Sequence, residues 1–370
     1  MVQQTTCRET LINHMTIIIP NKNMKNRDSQ LDILKGIGIL LVVFAHICRG
    51  DATRYIYLFH MPLFFFLSGA ALNYSKEISF NFGKRFKQVM IPYITFSILC
   101  FLYWLLIEIR FRPLQSEDLF TGLFGTLDFR WQQFINIFVA FSFDNAFLYN
   151  IVLWFLPCLF VAMILYVAIR KYMRSYAYVG IAIVAALGLF LEKIHLPACT
   201  EIAFVTIPFI YFGESFYKKA QISSPIMGGV FLLLSISLIM FFNPHVDMRT
   251  HSYGSWWLFY AVAILLIFSL CTFSRCLVGR DWGILEWLGR NSLAIMCIHE
   301  PIKRILLVGM SKLTGMDSFV LRESITISLG VTFLLILLLV PVIIGIYKYS
   351  PWVVGKKHTT KNGCHTNMVK

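Results

Sequence analysis

Charged residues are scarce. Asp, Glu, Lys and Arg make up 14% of the 370 residues, against roughly 25% in a soluble domain. Hydrophobic residues make up 58%, and the mean hydropathy is +0.69. These values exclude a soluble enzyme, a nucleic-acid-binding domain and a disordered chain. A CxxC pair is also missing. The nine cysteines are scattered, mostly inside apolar runs, so neither a disulfide framework nor a metal centre is expected. No convincing signal peptide is present. Residues 15–19 are too short for its apolar core, and Pro20, Asn21 and Lys22 end them. The first helix is therefore expected to act as its own insertion signal, and Met24 is a plausible start. Internal repeats and low-complexity tracts are absent as well.

What the chain has is a series of apolar runs long enough to cross a bilayer. Ten can be drawn: 31–48, 55–72, 88–109, 151–169, 177–191, 196–217, 223–242, 256–274, 288–310 and 324–347. Residues 131–148 are apolar too, but Asn136, Asp144 and Asn145 interrupt them. That stretch reads as interfacial or partly re-entrant. The net charge of +14 comes from short basic clusters between apolar runs, as expected of cytoplasmic loops rather than a nucleic-acid surface. With the N-terminal tail inside, twenty-two Lys and Arg fall on the inner side and eleven on the outer. The expected fold is an all-α polytopic membrane protein of about ten transmembrane helices with both termini cytoplasmic. Its parts are a tail over 1–26, a transmembrane domain over 27–350 and a basic tail over 351–370. The outward stretch 110–150 carries Trp131, Phe134, Phe138 and Phe141, which suit either a roof over a cavity or an interfacial helix.

Ionisable residues inside apolar spans cost about 2.5–3.5 kcal/mol each on insertion scales, so they point to function. The first span carries Asp32, Lys35 and His46. Lys35 and His46 are eleven residues apart, which is three helical turns plus about 20°, so both lie on one stripe separated by roughly 16.5 Å. Asp32 joins that stripe three residues earlier. The alternative reading of Lys35 is a side chain that snorkels to the headgroups. His60 opens the second span, level with His46, as a second proton-handling group or an interfacial histidine. Ser68 and Gly69 further along are small residues where helices can touch. Lys84, Arg85 and Lys87 precede the third span and read equally as a topology signal or as a phosphate site. Trp154 opens the fourth span. Glu201 and Glu214 interrupt the sixth and rank below His299 and Glu300, which fall deep in the ninth.

These residues resemble the integral-membrane acyltransferase-3 family, in particular its branch similar to fucose 4-O-acetylases. The marks are Leu31-Asp32-x-x-Lys35-Gly36, with ten residues between Lys35 and His46, and the run His60-Met-Pro-Leu-Phe-Phe-Phe-Leu-Ser68-Gly69. They continue with the basic run before Pro92-Tyr93, Trp154-Phe155-Leu156-Pro157, and Asn291-Ser292-x-x-Ile295 leading to His299. The resemblance runs from about residue 27 to 350. Lys35 stands where many members have arginine, which keeps the charge but loses the two-pronged donor. The basic run departs from the family's double-arginine spacing, which puts Lys87 in doubt.

The resemblance implies transfer of an acyl group, usually acetyl, from cytoplasmic acyl-CoA to a hydroxyl of a cell-envelope saccharide or lipid-linked glycan, at a bacterial inner membrane. No tightly bound cofactor is expected; acetyl-CoA is a co-substrate. The residues suit that chemistry. A neutral alcohol is a weak nucleophile, and a histidine that takes its proton as attack proceeds is worth about 10²–10⁴-fold. The expected site therefore has His46 as base with Asp32, donor-binding Lys35, Lys84 and Arg85, and His60, Ser68, Trp154, His299 and Glu300 lining the acceptor path. An acetyl-histidine relay is a variant of the same mechanism. The other class the sequence admits is a transporter or flippase for a lipid-linked saccharide, with the buried charges along its path.

Overall fold

Helix α1 (Ser29–Ile47) starts at a side-chain cap: the Asp28 carboxylate accepts the Leu31 N–H at 3.1 Å. The computed structural model describes residues 28–72, 81–109, 129–142, 146–191, 193–222, 224–279 and 282–356. The tail over 1–26, most of the basic tail and residues 110–128 of the outward 110–150 stretch lie outside these.

After α1 come α2 (Ala52–Tyr57), α3 (His60–Ala70), α4 (Phe82–Tyr103, continued by a π-helical turn over Trp104–Glu108) and α5 (Phe129–Val139). Next are α6 (Phe155–Met173), α7 (Ala177–Phe190), α8 (Thr200–Ile222) and α9 (Pro225–Phe242). The chain closes with α10 (Trp256–Ser274), α11 (Gly283–Arg290), α12 (Ser292–Thr314), α13 (Ser318–Glu323) and α14 (Ile325–Tyr349). Among the described residues no strand forms beyond a single bridge between Asp247 and Ser252.

Six helical runs among the described residues are long and apolar enough to cross a bilayer, including Ile325–Tyr349 and Pro225–Phe242. One of the six, Ile151–Phe190, contains both α6 and α7, broken where Arg174 takes φ 44°. The acidic and basic residues of α8 and α12 lower their hydropathy. α9 and α14 leave apolar faces bare: Ile226, Leu233, Met240 and Phe241 on one, Phe333 and Leu337 on the other. Faces of that kind belong in lipid rather than water. The protein is an all-α polytopic membrane protein.

Two spans read from the sequence differ in detail, and the interfacial or re-entrant stretch takes a definite form in part. The stretch 55–72 is not one helix. The chain breaks at Leu58 and Phe59, and the 11-residue α3 is only about 16 Å long, half the hydrocarbon thickness. His60 bridges the break by donating Nδ1–H to the Ile56 carbonyl at 2.8 Å, and Pro62 sits in the first turn of α3, where no N–H is needed. The stretch from 288 holds two helices, α11 and α12, meeting at Asn291. The 131–148 stretch contains the short α5, which buries Gln132, Gln133 and Asn136 and exposes Trp131 and Phe138. Its apolar face points outward, away from the bundle.

Close helix crossings fix the frame. A Cβ on Gly289 of α11 would lie 1.8 Å from the Asp32 carbonyl oxygen, and one on Gly36 would lie 2.1 Å from that of Leu285. α1 and α11 thus touch backbone to backbone. α3 and α8 do the same through Gly69 and Gly213, whose added Cβ atoms would meet the carbonyls of Ile210 and Phe66 at 2.0 and 1.8 Å. Tyr217 on α8 donates to Asp28 at 2.9 Å, and Gly355 packs on the Lys87 carbonyl. α14 begins beside the C-terminus of α1, where Arg322 holds the Ile47 carbonyl at 2.7 Å. Its 25 residues then run about 37 Å back, which places residues 28 and 355 at the same end of the bundle.

Candidate active site

The C-terminus of α1, the start of α3, the π turn of α4 and the middle of α12 converge at the other end. Between them is a cavity of about 960 Å³. Its volume is at the upper end for sites that hold small molecules and cofactors. His46, His60, Trp154 and Glu300 are on its wall.

The last carbonyls of a helix lack intrahelical partners and carry partial negative charge. In α1 they are held by cations. Lys303 Nζ donates to the His46 carbonyl at 3.2 Å and Arg322 Nη2 does so at 3.0 Å. The backbone at His46 is thereby fixed from two elements, α12 and α13. The His46 ring is partly buried, lies 5.5 Å from the ring of His299, and among the described residues makes no hydrogen bond. It is available to a ligand in the cavity.

His299 is fully buried. Its Nδ1 donates to the Ile295 carbonyl at 2.9 Å, which leaves Nε2 as the lone-pair nitrogen, buried without a partner. Glu300 accepts from Lys303 at 2.7 and 2.8 Å and from Arg304 at 3.0 Å. Arg304 also grips Glu108 of the π turn with one nitrogen, at 2.8 and 2.9 Å. This Lys–Glu–Arg–Glu row ties α12 to α4. Buried charges survive only when paired in this way.

Across the wall six basic side chains, Arg49, Arg249, Lys303, Arg304, Lys312 and Arg322, face three acidic ones, Glu108, Asp247 and Glu300. The cavity thus carries an excess of positive charge and attracts anions. Lys303 and Arg304 were passed over in the sequence reading, although their places three and four residues beyond Glu300 are those of helical ion-pair partners. Arg322, Glu108 and Arg249 carry no such signal, because they reach the site from distant segments.

Several residues singled out from the sequence stand elsewhere. Asp32 is buried near the start of α1, fourteen residues and about 21 Å from His46. Lys35 lies three turns from His46 along the same helix. Lys84 and Arg85 begin α4, whose far end supplies Glu108 to the cavity, so they lie about 35 Å away. The Ser68 hydroxyl turns back to the Phe64 carbonyl of its own helix at 2.8 Å. None of these five lines the cavity. Glu214 pairs with Arg170 at 3.0 Å and with the Tyr166 hydroxyl. Glu201 belongs to a second buried cluster, with Ser142, His195 and His251.

The fold and the cavity define a multi-pass membrane protein with a histidine-lined cavity of net basic wall. The acyltransferase-3 family model, described as an acyltransferase domain, matches residues 28–350, and the chain belongs to this family of acyltransferases. It is also similar to nodulation protein NolL of Mesorhizobium japonicum, with 33% identity over 131 residues. That match covers 30% of this chain and 34% of NolL, so the chain spans about a third of that relative's length. No solved structure matches the chain.

Proposed function

We propose that the protein is an O-acetyltransferase, acting from acyl-CoA on a hydroxyl of a cell-envelope saccharide or lipid-linked glycan in the inner membrane of a bacterium. The observation that carries this reading is His46, its backbone carbonyl held by Lys303 and Arg322 and its ring facing His299 on the wall of a cavity with a basic excess. Family membership sets the transporter reading aside.

In this reading His46 takes the proton of the acceptor hydroxyl as its oxygen attacks the thioester carbonyl. The carbon–sulfur bond breaks, and the departing thiolate takes the proton back from the imidazolium. Glu300, on the same cavity wall, carries a carboxylate charge opposite in sign to that transient cation. His299 packs against the base and restricts its ring. Trp154 and His60 line the path of the acceptor.

Two placements of the donor follow from two observations. The charge bias assigns the Lys84–Arg85 end to the cytoplasm, so acyl-CoA would present its phosphates there, and the acyl group would pass Lys35 on its way to His46. The basic excess in the cavity favours the other placement, with donor phosphates and acceptor entering the same opening. A radiolabelled acetyl-CoA assay in proteoliposomes with candidate glycans tests the function. Transfer by wild-type protein and its loss in His46→Ala is the expected result. Full transfer by that variant removes His46 from the mechanism.

A further inference from the structure

The second cluster lies in the end of the bundle that carries the cavity, built from three separate segments: Ser142 after α5, His195 and Glu201 around the start of α8, and His251 in the loop between α9 and α10. Glu201 and His251 are buried, at 0% and 1% exposure. His251 Nε2 lies 3.2 Å from Glu201 Oε1 and 3.0 Å from Ser142 Oγ, and Ser142 also bonds Glu201. Glu201 Oε2 accepts the Leu196 N–H at 3.0 Å, which aims the other oxygen at the cluster. One ligand atom from each of His195, Glu201 and His251 falls within 4.8 Å of the others.

We infer that His195, Glu201 and His251 form a binding site for a divalent transition metal of the zinc class, with Ser142 or a water molecule as fourth ligand. The donor set, two imidazoles and a carboxylate, suits zinc. So does the spacing. Bonds of about 2.0–2.1 Å in a tetrahedron put neighbouring donor atoms about 3.3 Å apart. The Glu201–His251 and Ser142–His251 separations have that size before any ion is added. The unexposed Glu201 carboxylate is the point where His251, Ser142 and the Leu196 N–H already converge.

The backbone around the cluster is bent to bring these side chains together. Ala140, Ala198, Cys199 and His251 all take positive φ, between 50° and 57°, which non-glycine residues seldom adopt. Such conformations persist where surrounding contacts over-determine them. Cys199 contributes two, with its N–H and its thiol both on the Ala140 carbonyl, at 3.0 and 3.2 Å. The loop that carries His251 also places Asp247, Met248 and Arg249 on the cavity wall. Asp247 and Ser252 close that loop with backbone bonds of 2.8 and 2.9 Å. A metal on His251 would therefore pin one wall of the cavity to α8 and to the segment after α5.

The test uses the full-length protein in detergent, stripped with a chelator and titrated with Co²⁺ alone, then with Zn²⁺. The expected result is one Co²⁺ per chain with the visible bands of a tetrahedral site, displaced by Zn²⁺, and a melting temperature that falls on chelation. His251→Asn and Glu201→Gln should lose the bands and the chelator effect. If His251→Asn fails to give a monodisperse protein, His195→Asn, at a partly exposed position, should show the same loss. Wild-type protein that takes up no Co²⁺, or takes up as much as the variants, overturns the inference and leaves a buried Glu201–His251 ion pair. The readout is metal binding, so it stands or falls separately from the acyl-transfer reading.

Discussion

His46 and the charges around it make the sharpest demands at the scale of single residues. Loss of a general base costs about 10²–10⁴-fold in rate. His46→Ala should therefore lower acetyl transfer by that factor while the protein still inserts and elutes as wild type, measured with labelled acetyl-CoA. Glu300 makes a different kind of contribution. Its removal leaves Lys303 buried and deprives Arg304 of one of its two carboxylate partners, and breaking a buried ion pair costs about 3–5 kcal/mol. Glu300→Ala should show a clear drop in thermal stability in detergent, beyond any loss of activity. An unchanged melting temperature would mean that water enters the cavity and solvates these charges. At this scale the sequence was informative where residues share a helix. His46 was legible as an ionisable group in an apolar run, and so were His299 and Glu300. The association of Asp32 and Lys35 with His46 rested on a shared helical stripe. A stripe fixes direction around the axis but not distance along it, and the structure leaves both residues outside the cavity.

The helices are held by crossings so close that backbone meets backbone. Gly289 and Gly213 are the tightest of these, with no room for a methyl group. Gly289→Ala should force α11 away from α1, and Gly213→Ala should part α8 from α3. Overpacking of this kind costs about 1–3 kcal/mol. Unfolding in detergent or in a graded denaturant should register the loss, while Gly309→Ala, where nothing lies within 4 Å, serves as the neutral control. The sequence indicated Ser68 and Gly69 as small residues where helices can touch, and Gly69 is such a contact. It gave no sign that α3 is half a span. The apolar run through residues 55–72 has no polar interruption at Leu58 and Phe59, and the break there is decided by the His60 bond to Ile56. Similarly α5 reads as apolar because its aromatics are outside. Only packing shows that its glutamines face in.

At the scale of the whole molecule the distribution of basic residues bears on orientation. We expect the end that carries residues 28 and 355 to be cytoplasmic, as the charge bias implies. Cysteine labelling checks it. In a background with Cys7, Cys276 and Cys364 changed to serine, Lys193→Cys should react with an impermeant thiol reagent from outside intact cells, and Lys171→Cys should not. The reverse pattern would turn the cavity toward the cytoplasm and give both substrates a single entrance. Vesicles of each orientation, supplied with acetyl-CoA on one side and glycan on the other, test the sidedness of transfer directly. If transfer needs both substrates on the cavity side, the acyl group does not cross the bundle.

Composition by itself determined that this chain lives in a bilayer, because a low charge content and long apolar runs leave no other environment in which its surface is stable. Periodicity set most of the helices, and the costly residues inside them marked His46, His299 and Glu300. Tertiary structure decided what those residues belong to. Arg322 caps α1 from 276 positions away, and Glu108 closes the ion row from 196. Ser142, Glu201 and His251 meet from three segments with no common spacing. A linear pattern records neighbours along one helix. Which helices end at the same place is fixed by their packing, and the cavity exists only there.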